Sequence, residues 1–509
     1  MVDDLFASVR AAVLQVDMLS GPAPVLVYLA ATTGLLAVLL WRPSRRWLLF
    51  SVLAAVVGIL AAVALWLICV RWLDLFGGGL GLPTYAWLAA TLAGVAIAMV
   101  SLVRRGALRR AVSAVTVIAV AVAGVFAINA EFGINRTLGN LLNVVVNSPI
   151  HLTPPSDDAV TPSAGSPLWK TWHPPAEMPS AGRTGTASIP NTASGFAARP
   201  AGVYLPPAAL VPHPPRLPVV LMLMGQPGSP DPGPISRVLD AYAAKNNGLA
   251  PIVLVADQTG EKVADTGCVD STAYGRSRTY LLKDVIPWMR THLNVLPDPR
   301  FWTVAGYSNG GQCAISLGAE HPELFRTIIS ASGEEFPGAS NPAHALTTLF
   351  GGDRDRLERE KPVTLLSMRQ FPGSTAVFTA AKDDPHYLEV ARRLATAARA
   401  AGMNTQLREL DRGGHGAGAL IGGLTDGFAV AYPVLGLSRP GVEASARGLA
   451  PSSFHVPPPG PPGGDRLPPD GGSSQAVAQR AWTQRNRPAT AVPTLTCERK
   501  QPCRTPTSD

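Results

Sequence analysis

The segment Gly306-Tyr307-Ser308-Asn309-Gly310-Gly311 sets a serine between glycines at the G-x-S-x-G spacing. A serine hydroxyl attacks a carbonyl usefully only when a histidine takes its proton and a carboxylate orients that histidine. A serine on a sharp strand-to-helix turn has strained backbone angles, and its neighbours must be small for strand and helix to pass closely. The apolar run Phe301 to Ala305 reads as the strand before the serine, and a helix is expected after Gly311. Without such flanks the same pattern would be a glycine-rich turn carrying a surface serine.

The partners should follow later strands, in the order serine, acid, histidine. The strand Thr375 to Ala381 ends in Lys382-Asp383-Asp384, and the last strand, Thr405 to Leu410, ends in Asp411-Arg412-Gly413-Gly414-His415-Gly416. His415 is the expected base. Asp383, nearest the strand end, is the preferred acid, with Asp384 the alternative; the other of the pair would cap the turn before Pro385. For the oxyanion, the backbone N–H groups of Asn309 and Gln226 are expected as donors, Gln226 because Pro227 has no N–H and Gly225 is the second choice. His321 and His386 stand outside any H-E-x-x-H or His/Cys cluster, so no metal is expected, and no nucleotide-binding glycine motif or cofactor site is read.

Strands and helices alternate around these residues. Leu217–Met224, Pro251–Ala256 and Arg326–Ser332 read as further apolar strands; Ser236–Asn246, Thr279–Leu293 and His386–Ala401 read as helices. Strands that are continuous apolar runs indicate a mostly parallel sheet covered on both faces. With the placement of the serine, acid and histidine, the expected class is an α/β-hydrolase fold.

Together these residues resemble the "putative esterase" group of α/β-hydrolases, which includes esterase D-like enzymes and the mycolyltransferases. The resemblance covers about 190–440 and rests on Ser194-Gly195-Phe196 leading into Val203-Tyr204-Leu205-Pro206-Pro207, the nucleophile segment, Phe350-Gly351-Gly352-Asp353 and Gly413-Gly414-His415. It implies a Ser–Asp–His hydrolase or acyltransferase acting on carboxylic esters. Family members often carry a bulkier residue such as Met where this chain has Asn309.

The rest of the chain is of another kind. Of 509 residues only 15% are charged, 48 are Pro, and the mean hydropathy is +0.18, which excludes one compact soluble domain. Four uncharged apolar stretches near 24–41, 47–70, 84–103 and 112–129 are long enough to cross a bilayer. The net charge of +8 is concentrated here: residues 1–130 carry +5, with Arg42, Arg45 and Arg46 in the first connection and Arg104, Arg105, Arg109 and Arg110 in the third. Those connections should face the cytoplasm, leaving both termini and everything after about residue 130 extracytoplasmic. The basic balance thus reads as membrane orientation, and nucleic acid is not expected as a partner.

The expected organisation is a four-span anchor (1–130), a Pro/Ser-rich linker (131–182), the hydrolase domain (183–447) and a disordered Pro/Gly-rich tail (448–509). Cys268 and Cys313 should be brought together by neighbouring parallel strands and form a disulfide beside the site; Cys497 and Cys503 could pair within the tail, and Cys69 lies in the second span. The expected activity is that of a membrane-anchored extracytoplasmic serine esterase with an ester or lipid-like substrate. An acyltransferase of the cell envelope uses the same constellation. A non-catalytic surface binding module and a membrane sensor are the readings from other classes.

Overall fold

The structure is a computed structural model that describes residues 9–10, 12–41, 43–72, 82–133, 135–142, 149–152, 166–226, 228–261 and 264–440. The tail and the Cys497–Cys503 pairing lie outside these residues.

Four long apolar helices come first: α1 (Pro22–Leu40), α2 (Arg45–Trp66, continued by a π-helical turn Leu67–Trp72), α3 (Leu82–Leu102) and α4 (Ala107–Phe132). Each is long and apolar enough to cross a membrane. Large side chains such as Leu49, Phe50, Val52 and Ile118 point outward. Small residues line the contacts: a Cβ on Gly58 would lie 2.5 Å from the Leu92 carbonyl oxygen, and one on Gly124 2.3 Å from Thr91 Oγ1. Close backbone approach is the usual adhesive of helices in lipid, where apolar burial gives no net drive. At one end Arg109 donates to Ser101 Oγ (3.0 Å) and the Trp41 carbonyl (2.9 Å) and stacks on Trp47, tying the two arginine-bearing connections together.

The other end of the bundle carries the globular part. Its sheet has eight strands: β1 (Arg183–Ala187), β2 (Ala201–Leu205), β3 (Val219–Leu223), β4 (Ile252–Ala256), β5 (Trp302–Tyr307), β6 (Thr327–Ala331), β7 (Thr375–Ala381) and β8 (Asn404–Leu410). Their order is β1-β2-β4-β3-β5-β6-β7-β8, antiparallel through β1, β2 and β4 and parallel from β4 to β8. This is a mostly parallel sheet with helices, the architecture expected from the alternating strands and helices. Strands β2 to β7 are buried along their whole length, which is why they read as unbroken apolar runs, whereas the edge strand β8 is half exposed.

Helices α5 (Gly233–Lys245), α6 (Ser277–Thr279, a π turn Tyr280–Val285, then Ile286–His292), α7 (Asn309–Glu320), α11 (Pro385–Ala400) and α12 (Ala417–Val434) accompany the sheet; three short helices, α8 (Pro342–Thr348), α9 (Arg354–Glu360) and α10 (Pro362–Ser367), intervene after β6. Helix α12 is a fifth segment apolar enough to span a membrane, yet half of it is buried against β6, β7, β8 and α5. Its composition reflects burial on the sheet. Part of the stretch expected as a linker is described. Leu168 is buried, Trp169 N–H bonds the Gly436 carbonyl, and Trp172 Nε1 donates to Asn247 O, so this stretch lies on the globular part instead of holding it at a distance.

Candidate active site

Ser308 sits between the end of β5 and the first residue of α7, at φ 55° and ψ −120°. A non-glycine residue with positive φ costs on the order of 1–3 kcal/mol and persists only where its surroundings fix it. Here the Ser308 N–H donates to the Ala331 carbonyl (3.0 Å), and its own carbonyl accepts from Gly311, Gln312 and Glu334 N–H groups. The flanking glycines are required by space: a Cβ on Gly306 would lie 1.9 Å from the Gly310 carbonyl oxygen, and one on Gly310 2.0 Å from that of Leu223.

His415 meets the serine, with Nε2 2.8 Å from Ser308 Oγ. Its other nitrogen, Nδ1, lies 3.5 Å from Asp384 Oδ2. That is longer than a good hydrogen bond, as catalytic contacts often are before substrate binds. The residue set beside His415 is thus Asp384, the alternative acid, while the preferred Asp383 accepts from the Gly413 (3.2 Å) and Gly414 (2.9 Å) amides. The reason is local. Asp384 is the N-cap of α11, its Oδ1 accepting from Tyr387 N–H at 3.4 Å, and the cap conformation turns its second oxygen toward the imidazole. Capping and facing His415 fall to one residue; Asp383 holds the glycine-rich loop.

The imidazole stacks with two tyrosines, Tyr387 at 3.7 Å between centroids and Tyr307 at 5.2 Å. Burial, with Glu334 and Asp384 nearby, raises the Tyr387 hydroxyl above the usual tyrosine range, and the proximity of Ser308 opposes that shift. Tyr307 fills the first variable position of the nucleophile motif, whose pattern does not fix its type, and Tyr387 stands three residues after the capping Asp384.

A second acidic group underlies α7. Asn309 Nδ2 donates to Asp265 Oδ1 at 2.6 Å, so its side chain is engaged and only its backbone N–H, at the helix start where amides lack intrahelical partners, is left for the site. Burial raises the Asp265 carboxyl, and burial with the Asp265 charge pushes Glu334 up to about 8. Cys268 and Cys313 are disulfide-bonded with Cα atoms 5.5 Å apart, tying the Asp265 loop to α7 one turn beyond Asn309. Cys69, in the π-helical turn that continues α2, is a free thiol.

The turn Gly225–Gln226 abuts the nucleophile: a Cβ on Gly225 would lie 2.8 Å from Ser308 Cβ. A pocket of about 390 Å³, counting its open mouth, runs beside that turn and is lined by Asn135, Asn140, Gly225, Gln226, Asp231 and Tyr307 among others. His321 pairs with Glu323 at the far end of α7, and His386 packs edge-on against Tyr387; neither reaches Ser308. Asp353 of the Phe350–Asp353 segment caps α9 through Arg356 N–H (2.9 Å). Among the described residues, no three His, Cys, Asp or Glu side chains are grouped to hold a metal ion.

Residues 197–415 match the family described as "Putative esterase". An uncharacterized protein of Corynebacterium glutamicum is 32% identical over 249 residues, 47% of this chain and 57% of that protein. This chain thus spans little more than half the length of that relative. Among solved structures, a ferulic acid esterase aligns with TM-score 0.41 and 18% identity, covering 51% of this chain and 100% of its own. An S-formylglutathione hydrolase from Agrobacterium tumefaciens aligns with TM-score 0.41 and 20% identity, covering 50% and 97%.

Proposed function

We propose that this chain, whose residues 197–415 match the esterase family, is a membrane-anchored serine esterase working through an acyl-enzyme. The observation that carries the reading is Ser308 at φ 55° on a strand-to-helix turn with His415 Nε2 2.8 Å from its hydroxyl. In the reaction, Ser308 Oγ bonds to the ester carbonyl carbon as its proton passes to His415 Nε2. Asp384 steadies the imidazolium that results. The backbone N–H groups of Asn309 and Gln226 receive the oxyanion. Collapse breaks the ester C–O bond, and His415 returns the proton to the departing alkoxide. Water or an acceptor alcohol then adds to the acyl-enzyme, giving up its proton to His415, and Ser308 is released with a carboxylic acid or a new ester.

Hydrolysis and acyl transfer differ only in that last nucleophile, so acyltransfer in the cell envelope is the second reading. The hydrolase domain (183–447) is assigned to the extracytoplasmic side. The support is that its described residues adjoin the end of α1–α4 opposite Arg45, Arg46, Arg104, Arg105 and Arg109, residues that favour the cytoplasm. The test is turnover of p-nitrophenyl esters of several chain lengths by the full chain in detergent. Turnover that vanishes in Ser308→Ala is expected; a folded chain that turns over none of them contradicts the reading and favours a binding module.

A further inference from the structure

Two loops must be held in register for this chemistry, one bearing His415 and one bearing Gln226. Both meet the same stretch of chain outside the esterase-family segment. Helix α4 ends at Phe132, and Gly133 (φ 62°) turns the chain away. Gly416, next to His415, comes so close to that helix end that a Cβ on it would lie 3.0 Å from the Phe132 carbonyl oxygen and 3.4 Å from its Cα. Gly133 in turn faces the first residue of α12: a Cβ there would lie 2.8 Å from Ala417 Cβ. A few residues on, Asn140 Nδ2 donates to Asp231 Oδ2 at 2.7 Å, while Asp231 Oδ1 accepts from Gly233 N–H (2.9 Å) at the start of α5. Asn135 and Asn140 line the same pocket as Gly225 and Gln226.

The stretch is itself braced against the entry to α1. Arg136 Nε donates to Asp17 Oδ2 (3.0 Å), Met18 N–H bonds the Arg136 carbonyl and Leu138 N–H bonds the Val16 carbonyl. Asn129 Nδ2, from the last turns of α4, donates to Asn135 O at 2.7 Å. The braced end of the bundle therefore bears directly on both loops. The His415 loop needs such backing. Gly413, Gly414 and Gly416 give it no side chains of its own to pack. Misplacing a catalytic group by about 1 Å can cost on the order of 10²-fold in rate.

We propose that the juxtamembrane residues Gly133 and 135–142 form a positioning element of the active site. Asn140 sets the loop between β3 and α5 through Asp231, and the end of α4 seats the His415 loop through Phe132 and Gly416. The anchor then orients the catalytic groups as well as tethering them. The proposal rests on the esterase reading above.

The test uses the full chain in nanodiscs, with p-nitrophenyl acetate turnover and fluorophosphonate labelling rate as readouts. Asn140→Asp sets two carboxylates against each other. The exchange Asn140→Asp with Asp231→Asn restores the hydrogen bond with its polarity reversed. Gly416→Ala is compatible with the backbone there (φ −144°, ψ −154°), so its effect reports on the approach of Phe132. Asn140→Asp and Gly416→Ala should each lower kcat and the labelling rate by about tenfold or more, with KM changed less than about twofold and the thermal midpoint held. The exchange should recover most of the loss. Full rates in both single variants, or a loss the exchange does not repair, overturn the proposal while a reactive wild-type chain keeps the esterase reading. A wild-type chain inert to both probes overturns that reading, and this proposal with it.

Discussion

The ring of His415 lies on the ring of Tyr387, with centroids 3.7 Å apart and planes 15° from parallel. The tyrosine is held in turn by the first turn of α11, where its N–H is capped by Asp384. One helix start therefore fixes the imidazole twice, by a stacked face and by a carboxylate at Nδ1.

Removing the stacked ring should cost more than removing its hydroxyl. An aromatic pair is worth about 0.5–1.5 kcal/mol beyond its buried area, so Tyr387→Ala should lower kcat by roughly 3- to 10-fold or more. Tyr387→Phe keeps the stack and loses only the hydroxyl near Ser308, and should fall less. Steady-state kinetics on one ester compares them, and equal losses would argue that the hydroxyl matters and the stack does not.

The adjacent aspartates should separate cleanly. Asp384→Asn removes the charge facing His415 but keeps a competent helix cap, so kcat should drop on the order of 10³-fold or more with little loss of stability. Asp383→Asn keeps an oxygen for one of the Gly413 and Gly414 amides, which bond different carboxylate oxygens, and should lose far less activity than Asp384→Asn. The reverse ranking in ester turnover would restore Asp383 as the acid.

Glu334 should make stability depend on pH. Burial and the neighbouring Asp265 raise its carboxyl from an ordinary 4.5 to about 8 in the folded chain. Between those values the folded state holds a proton that the unfolded state has lost, so stability falls as pH rises through this window. Glu334→Gln cannot ionise, and its thermal midpoint should gain on the wild type steadily from about pH 5 to about pH 8. Midpoints that run parallel across that range would contradict the assignment.

The Cys268–Cys313 bridge closes a loop with a sequence separation of 45 and holds the Asp265 loop against α7. Loss of such a bridge typically costs about 2–5 kcal/mol, so Cys268→Ala with Cys313→Ala should unfold at a clearly lower denaturant midpoint. Activity should fall as well, because the Asp265–Asn309 contact that fixes the start of α7 is released. A change in midpoint with full activity would make the bridge purely structural.

Much of the site is legible in the residues for steric reasons. Only glycine fits at 306 and 310, and only a glycine-rich loop brings a ring from the end of β8 to the turn after β5. The choice between Asp383 and Asp384 is not legible, because it turns on how α11 begins, and adjacent carboxylates look alike in sequence. Helix α12 matches a membrane span in composition, since a helix buried on a sheet and one buried in lipid face the same selection against charge. Strand β1 escapes the pattern because it is a partly exposed antiparallel edge. Least legible are Asn140 with Asp231 and Phe132 with Gly416, contacts between residues far apart in the chain whose types signal nothing alone.

The most direct measurement is to treat the folded 509-residue chain with a fluorophosphonate and locate the adduct by peptide mass spectrometry. The account predicts one adduct, on the peptide containing Ser308, absent in Ser308→Ala and formed far more slowly in His415→Ala. No adduct on the folded chain, or one that persists in Ser308→Ala, would contradict it.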